Sequence, residues 1–215
     1  MLCVDLHTHS VASPDGSLRT ADYHRMLASG KLDYIAVTDH DRIDFALKLR
    51  AKLGEHIIVG EEISTQAGEI IGLFLSEPIA AGLTPAETVT HIHEQGGLVY
   101  VPHPFETVRK GLSEAALATI ASQVDIMETY NGRSLQNHSK LAAQWATEHN
   151  VVGAASSDAH GLRGWGNTCS TVTEAPTRES LLKALQTAQL QTKSTGVIGR
   201  LYPKLNRLRK WTQRV

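Results

Sequence analysis

Short runs of β-branched and aliphatic residues alternate along the chain with longer stretches whose apolar positions recur every three or four residues. Cys3 to Leu6, Leu32 to Thr38, Ile57 to Gly60, Glu69 to Leu75, Leu98 to Val101, Asp125 to Thr129 and Val151 to Ala155 read as strands. Thr20 to Ser29, Asp44 to Leu53, Pro85 to Gln95, Ser113 to Ser122, Ser134 to His149 and Thr177 to Ala188 read as helices. Thr84 stands as an N-cap before Pro85 at the first helical position, and Gly30, Gly54 and Gly96-Gly97 halt three of the helices. About seven strands alternating with helices predict a mostly parallel sheet with helices outside it, as an irregular barrel or a doubly wound sheet. No repeat and no linker rich in Gly, Ser or Pro interrupts the alternation. The organisation expected is one α/β domain over residues 1–198, followed by a basic tail or helix over residues 199–215.

Composition narrows the class without naming it. The 215 residues are enough for one sizeable core, and 41% hydrophobic with 20% charged residues is ordinary for a soluble domain. Lys and Arg number 21 against 22 Asp and Glu, so nothing global demands a nucleic-acid or membrane partner. Cys3 and Cys169 have no metal-type spacing, which favours a reducing compartment over a disulfide framework. No leader-like segment and no apolar run long enough to span a membrane is read, so a cytoplasmic protein is expected. The 11 histidines are the unusual feature.

Their positions carry the chemistry. The first strand runs into Asp5-Leu6-His7-Thr8-His9-Ser10, where residues two apart share a side, so His7 and His9 can bind one metal together. The second runs into Thr38-Asp39-His40-Asp41 and the third into Glu61-Glu62-Ile63-Ser64. Later strands run into Pro102-His103-Pro104 and Ser157-Asp158-Ala159-His160. Five strands thus end in His, Asp or Glu, on the face where βα architectures build their sites. Such groups are costly to bury unpaired, and imidazoles mixed with carboxylates suit Zn²⁺, Mn²⁺ or Fe²⁺.

Taken in order, Asp-Leu-His-Thr-His-Ser, Ser13-Pro14-Asp15-Gly16, Thr-Asp-His-Asp, Gly-Glu-Glu-Ile-Ser, His-Pro and Ser-Asp-Ala-His resemble the motifs of the polymerase and histidinol phosphatase (PHP) domain family, from residue 5 to residue 160. The resemblance implies a single-domain distorted (β/α)7 barrel holding two or three divalent metal ions at the C-terminal ends of its strands. It implies that His7, His9 and Asp158 hold a first metal, that Glu62 bridges to a second bound by His103, and that Asp15, His40 and His160 hold a third. Glu62 is preferred to Glu61 because it directly precedes Ile-Ser. One position departs from the pattern: Glu69 precedes Ile70-Ile71-Gly72 where many members carry a ligating His. Either Glu69 ligates in its place, the reading carried forward, or it is a turn residue and the metal count falls.

The resemblance further implies a stand-alone phosphoesterase acting on a small phosphorylated molecule such as a nucleotide or sugar phosphate. Two metals about 3.5–4 Å apart can share and acidify a water that attacks phosphorus in line. No Gly-x-Ser-x-Gly nucleophile context and no Gly-rich phosphate loop offers a competing route. Arg109 is the first candidate phosphate clamp, with Arg133 and Lys110 behind it, and Tyr130-Asn131 is expected to shape the pocket; Arg109, Arg133 and Asn131 are the substrate-binding residues expected. Two alternatives stand: a metal-dependent hydrolase of another bond type, and a non-catalytic metal-stabilised nucleic-acid-binding module. The second would use Arg200, Lys204, Arg207, Arg209, Lys210 and Arg214, six basic residues with no acidic one after residue 199. It is not favoured, because the ligand set is nearly complete; Tyr202, Leu205, Leu208 and Trp211 recur at helical spacing and are expected to pack on the domain. His24, His56, His91, His93, His138 and His149 are expected to be surface or structural.

Overall fold

A computed structural model of the chain describes residues 1–134 and 136–212; Arg214 lies outside them. The elements run β1 (Leu2–Asp5), α1 (Thr20–Ala28), β2 (Tyr34–Val37), α2 (Asp44–Leu53), β3 (Ile57–Thr65), β4 (Gly68–Leu73), α3 (Pro85–Glu94) and β5 (Leu98–Val101). They continue with α4 (Glu114–Ala118), β6 (Ile126–Asn131), α5 (Gln136–Glu148), β7 (Val152–Ser156), β8 (Thr168–Val172), α6 (Leu181–Gln186), β9 (Gln189–Thr192) and α7 (Gly196–Thr212). The nine strands form one sheet in the order β7-β6-β5-β4-β3-β2-β1-β8-β9. β1–β2, β2–β3, β5–β6 and β6–β7 pair in parallel. β4 lies antiparallel between β3 and β5.

The sheet curls until its ends nearly meet. A parallel bridge between Thr8 and Ala159 links the segments that follow β1 and β7. At the same free edge of β7, the Ala155 backbone N–H donates to Ser170 Oγ of β8 at 2.9 Å. The barrel that the family resemblance implies is therefore present, but among the described residues it has nine strands in place of about seven, and the mostly parallel sheet expected is half antiparallel, because β4, β8 and β9 all run against their neighbours. β8 and β9 were not read from the sequence because Thr-Cys-Ser-Thr-Val and Gln-Leu-Gln-Thr lack apolar alternation, and β9 is exposed throughout. The late helix shortens to α6 because the chain turns into β9 at Gln189.

Strand parity divides the core in two. Ile35, Val37, Ile57, Val59, Val99, Val101 and Met127 point outward and pack with helix residues such as Tyr23, Leu49, Ile92, Leu117 and Trp145. Val4, Leu6, Ala36, Ile58, Ile71, Tyr100, Ile126 and Ala154 fill the other cluster, with Leu181, Ala184 and Leu185 of α6. With side chains alternating along each strand, Glu62 and Glu128 follow Ile58 and Ile126 to the inside, and Glu61 follows Val59 to the outside. Among the described residues no helix is long and apolar enough to cross a membrane.

Glu61 is buried in that outer layer, where Oε2 accepts the Ile79 N–H at 2.8 Å and Oε1 has no partner. Burial, with a smaller push from Asp41, raises its carboxyl from 4.5 to about 7. The folded protein thus holds this proton more tightly than the unfolded chain does. The stabilisation is complete below pH 4.5 and is lost as the pH rises to about 7. Glu61→Gln, which does not titrate, is expected to gain stability over the parent as the pH rises from 5 to about 7 and then to level off, by on the order of 2 kcal/mol on the plateau, seen as a higher melting temperature. Paired thermal melts across that range check it, and a pH-independent difference contradicts it.

Candidate metal centre

Buried carboxylates lock the loops that deliver the site. Asp5, at the end of β1, accepts from Ser157 N at 2.9 Å and Ser157 Oγ at 2.5 Å, tying β1 to the loop after β7. Asp39 accepts from Ser10 N at 2.6 Å and Ser10 Oγ at 2.5 Å, pinning the loop after β1 to the loop after β2. That first loop then folds back on itself so tightly that a Cβ at Gly16 would stand 2.1 Å from Ser10 O. Only glycine fits there, and the turn carries Asp15 back toward the strand ends. His103 and Asp158 both have left-handed backbones, at φ 28° and 52°, a conformation that non-glycine residues adopt rarely and mostly at functional sites.

The result is a convergence of nitrogen and oxygen donors. His7 Nε2 and His9 Nε2 lie 3.0 Å apart. They stand 3.4 and 3.2 Å from Glu62 Oε2, and 3.6 and 3.5 Å from Asp158 Oδ1. Donors about 2.0–2.2 Å from a shared ion stand roughly 3.0–3.5 Å from one another, so this spacing fits an ion at their centre. Glu62 also reaches outward: Oε1 is 2.9 Å from His103 Nε2, and Oε2 is 3.3 Å from His40 Nδ1. Glu69 approaches the same two histidines at 3.8 and 3.7 Å. Asp15 stands 3.5 Å from both His40 Nε2 and His160 Nε2, and the His9 ring stacks on His160 at 4.0 Å and on His40 at 4.7 Å. Four overlapping groups follow, in which His7, His9, His40 and Glu62 recur: His7, His9 and Glu62; His7, His103 and Asp158; His40, Glu62 and Glu69; and His9, Asp15, His40 and His160. His9 Nδ1 and His103 Nδ1 are buried without a partner, an expensive arrangement unless a cation or water completes it.

All nine candidate ligands are brought together, and the electrostatics show how hard they press on each other. Burial would raise the Asp158 carboxyl, but Arg133, His7 and His160 outweigh it and hold it well below the usual range. Burial likewise opposes ionisation of Glu62, and the imidazoles of His40, His7 and His103 reverse the sign. Glu69 has no such surplus of cations, so burial and the neighbouring Glu62 push it up to about 8. His40 loses proton affinity to burial but regains more from Glu62, Asp15 and Glu69, ending at about 10. A cluster that holds this many carboxylates by borrowing protons is one that divalent cations would stabilise.

Behind the donors stands a second layer that sequence reasoning missed. Glu128, on the inner face of β6, has Oε1 3.1 Å from His7 Nδ1 and accepts the Tyr100 hydroxyl at 2.9 Å. Its Oε2 accepts the His103 N–H at 2.6 Å and Asn131 Nδ2 at 2.9 Å. Asn131, expected beside the substrate, is buried as a bracket: its Oδ1 accepts from Arg109 Nη1 and the Arg133 N–H, and its Nδ2 donates to Glu128 and Asp158. Arg109 donates through Nη1 to Asp158 Oδ2 at 2.6 Å and is forked onto Glu106 at 2.9 and 2.5 Å. Arg133 donates to the same Asp158 oxygen at 2.9 Å.

A cavity of about 470 Å³ opens over the donors, and Arg109, Lys110 and Arg133 line it. Its far wall is α7, which presents Arg200, Lys204 and Arg207. The helix is fastened to the site by Asn206, whose Nδ2 donates to Asp15 O at 2.7 Å and His160 O at 2.9 Å, and by Arg207, which donates to Asp15 Oδ2 at 2.7 Å. Tyr202 packs against Gly161, as expected, whereas Leu205, Leu208 and Trp211 are exposed rather than buried on the domain as expected. Among the histidines expected to be structural, His138 borders the cavity, with Nδ1 3.8 Å from Glu106 Oε1. The others lie elsewhere: His56 and His149 bond to backbone carbonyls, and His91 and His93 pair with Glu94 and Asp125.

Glu128→Gln keeps the shape of the side chain but removes the charge that orients His7. It is expected to weaken metal binding about 10- to 100-fold with little change in fold, measured by competition with a chromogenic chelator. Unchanged affinity contradicts the orienting role.

The comparisons with known proteins agree with this geometry. The family model described as PHP-associated matches residues 136–190. An uncharacterized protein of Methanocaldococcus jannaschii, MJ1587, is 33% identical over 150 residues, which are 64% of this chain and 88% of that protein. A two-domain protein of Bacteroides vulgatus, described as containing a "predicted PHP-like metal-dependent phosphoesterase", superposes with a TM-score of 0.71 at 19% identity, over 89% of this chain and 65% of that one. An amidohydrolase of Chromobacterium violaceum, with bound sulfate and no metal, superposes with a TM-score of 0.60 at 16% identity, over 73% of this chain and 87% of that one. With the ordered motifs between residues 5 and 160 and the barrel that presents them, these similarities place the chain in the PHP domain family.

Proposed function

We propose that the chain is a metal-dependent phosphoesterase that hydrolyses a small phosphorylated molecule, a nucleotide or sugar phosphate being the kind of substrate the cavity suits. One observation carries this reading: the His, Asp and Glu donors floor a cavity whose walls are cationic, with Arg109, Lys110 and Arg133 on one side and Arg200, Lys204 and Arg207 on the other. Walls of this sign suit an anionic ester and would add little to the binding of a neutral amide. The sulfate held by the Chromobacterium violaceum relative, a tetrahedral anion, is consistent with that preference.

His7, His9, Glu62 and Asp158 would hold one ion, Glu62, His103 and Glu69 a second beside it, and Asp15, His40 and His160 a third, with Zn²⁺, Mn²⁺ or Fe²⁺ all suited to these donors. Bound ions would acidify a water and draw charge from the phosphoryl oxygens. The chain's own residues do the rest. Glu106 grips Arg109 on Nε and Nη2 while Asn131 and Asp158 take Nη1, so the guanidinium is held in place and would reach a phosphate oxygen by exchanging one of these partners for it. Arg133 lies alongside, its Nη1 shared between Asp158 and His160 Nδ1 at 3.3 Å. Arg207 and Asn206 hold Asp15 from behind and fix the loop that carries it.

A second reading, hydrolysis of a carbon–nitrogen or carboxyl-ester bond, is favoured only by the description of that same relative as an amidohydrolase. The experiment is a substrate panel run on chelator-stripped protein reloaded with each metal. Release of phosphate from aryl and sugar phosphates is expected only after reloading, and His9→Ala is expected to lower kcat/KM on the order of a thousandfold. Turnover of amides or carboxyl esters without turnover of any phosphate ester would overturn the reading.

A further inference from the structure

One side of α7 lines the cavity; its outer face, apart from Leu201 at the cavity's edge, faces away from the site. Gly199, Pro203 and Asn206 are buried against the domain. On the opposite side Val197, Ile198, Leu201, Leu205, Leu208 and Trp211 are all exposed, Val197 by 71%, Leu208 by 58% and Trp211 by 66%. Their spacing of mostly three or four residues gathers them into one stripe along the helix. Single exposed aliphatics need no explanation, but a continuous row of six does. Arg200 flanks the stripe on one edge and Arg209 on the other, and Lys204 lies among its residues near the Arg200 edge. From Lys193 onward every charged residue is basic, although the whole chain carries 21 basic against 22 acidic residues.

We propose that α7 docks this protein on an anionic lipid surface, with the apolar stripe at the acyl boundary and its flanking cations at the phosphate headgroups. Three features of the helix support that occupant over the others. The stripe would leave its aliphatic side chains in water if the cations met a nucleic-acid backbone instead. Pairing the stripe with the same face of a second copy would set Arg200, Lys204 and Arg209 against their own counterparts, with no acidic residue on the helix to offset them. A lipid interface takes both halves: Leu and Val enter the apolar boundary, Trp211 sits at the headgroup level, and the long basic stems reach the phosphates. The acidic balance of the remaining chain would repel the same surface, so docking is oriented. Because Leu201 and Lys204 also line the cavity, docking places the cavity mouth next to the bilayer. This inference does not depend on which bond the metal centre hydrolyses.

The test uses the full chain with vesicles of phosphatidylcholine, with and without phosphatidylglycerol. Co-sedimentation with the anionic vesicles is expected, on the order of a hundredfold weaker on the neutral ones and weakened by salt. Trp145 and Trp165 are already buried, at 6% and 3% exposure, so a blue shift of the tryptophan emission on binding reports Trp211. Leu205→Glu combined with Leu208→Glu, both on the exposed stripe, is expected to abolish sedimentation and blue shift together while leaving the melting temperature and metal content unchanged. The proposal is overturned by a folded protein that ignores anionic vesicles at low salt. Sedimentation without a blue shift, or binding that survives the double substitution, overturns it equally. A concentration-dependent dimer that the double substitution dissociates would assign the stripe to a second copy and also overturn it.

Discussion

Four carboxylates and five imidazoles converge at and beneath the floor of one cavity, and among them Glu62 lies within 3.4 Å of His7, His9, His40 and His103. Burying charge is costly, and burying several carboxylates together is costlier still. The surrounding structure is arranged around that cost. Asp158 is held ionised by Arg109 and Arg133, and Asp15 by His40, His160 and Arg207. Glu69, whose nearest cationic groups stand 3.7–3.8 Å away and which is pressed by Glu62, is the one of the four carboxylates pushed upward, to about 8. Each carboxylate is therefore matched to a positive partner or to a proton, and divalent ions would replace those partners with stronger ones.

The barrel makes such a concentration of donors possible. No single segment could carry them, because neighbours on a strand point to opposite sides. Five strand ends meeting on one rim each supply one or two donors instead, and Asp5, Asp39 and Glu128 lock those ends together from below. Two of the non-glycine residues with left-handed backbones, His103 and Asp158, are donors, so part of the backbone cost falls where a side chain has to be aimed.

Much of this was legible in the chain. His7 and His9 stood out by their spacing, and Glu62 was separated from Glu61 by its place before Ile-Ser; strand parity puts the first inside the barrel and the second outside. Glu69, read as a ligand out of pattern, does approach His40 and His103. Other contributions had only faint signals. Glu128 is a lone carboxylate in an otherwise buried strand, and a charge in such a run is itself a sign of a buried network. Asn206 meets Asp15 across 191 residues of sequence, a contact that no local pattern encodes. The stripe on α7 was legible as helical periodicity, but periodicity alone does not say whether an apolar face meets the domain or leaves it.

The central claim is that these donors form one multinuclear centre shared through Glu62. Anomalous diffraction from crystals of the metal-loaded protein tests it most directly. The account predicts at least two peaks, one enclosed by His7, His9, Glu62 and Asp158 and another beside it on the His103 side of Glu62, about 3.5–4 Å away. A single peak, or peaks whose nearest ligands exclude Glu62, would contradict it.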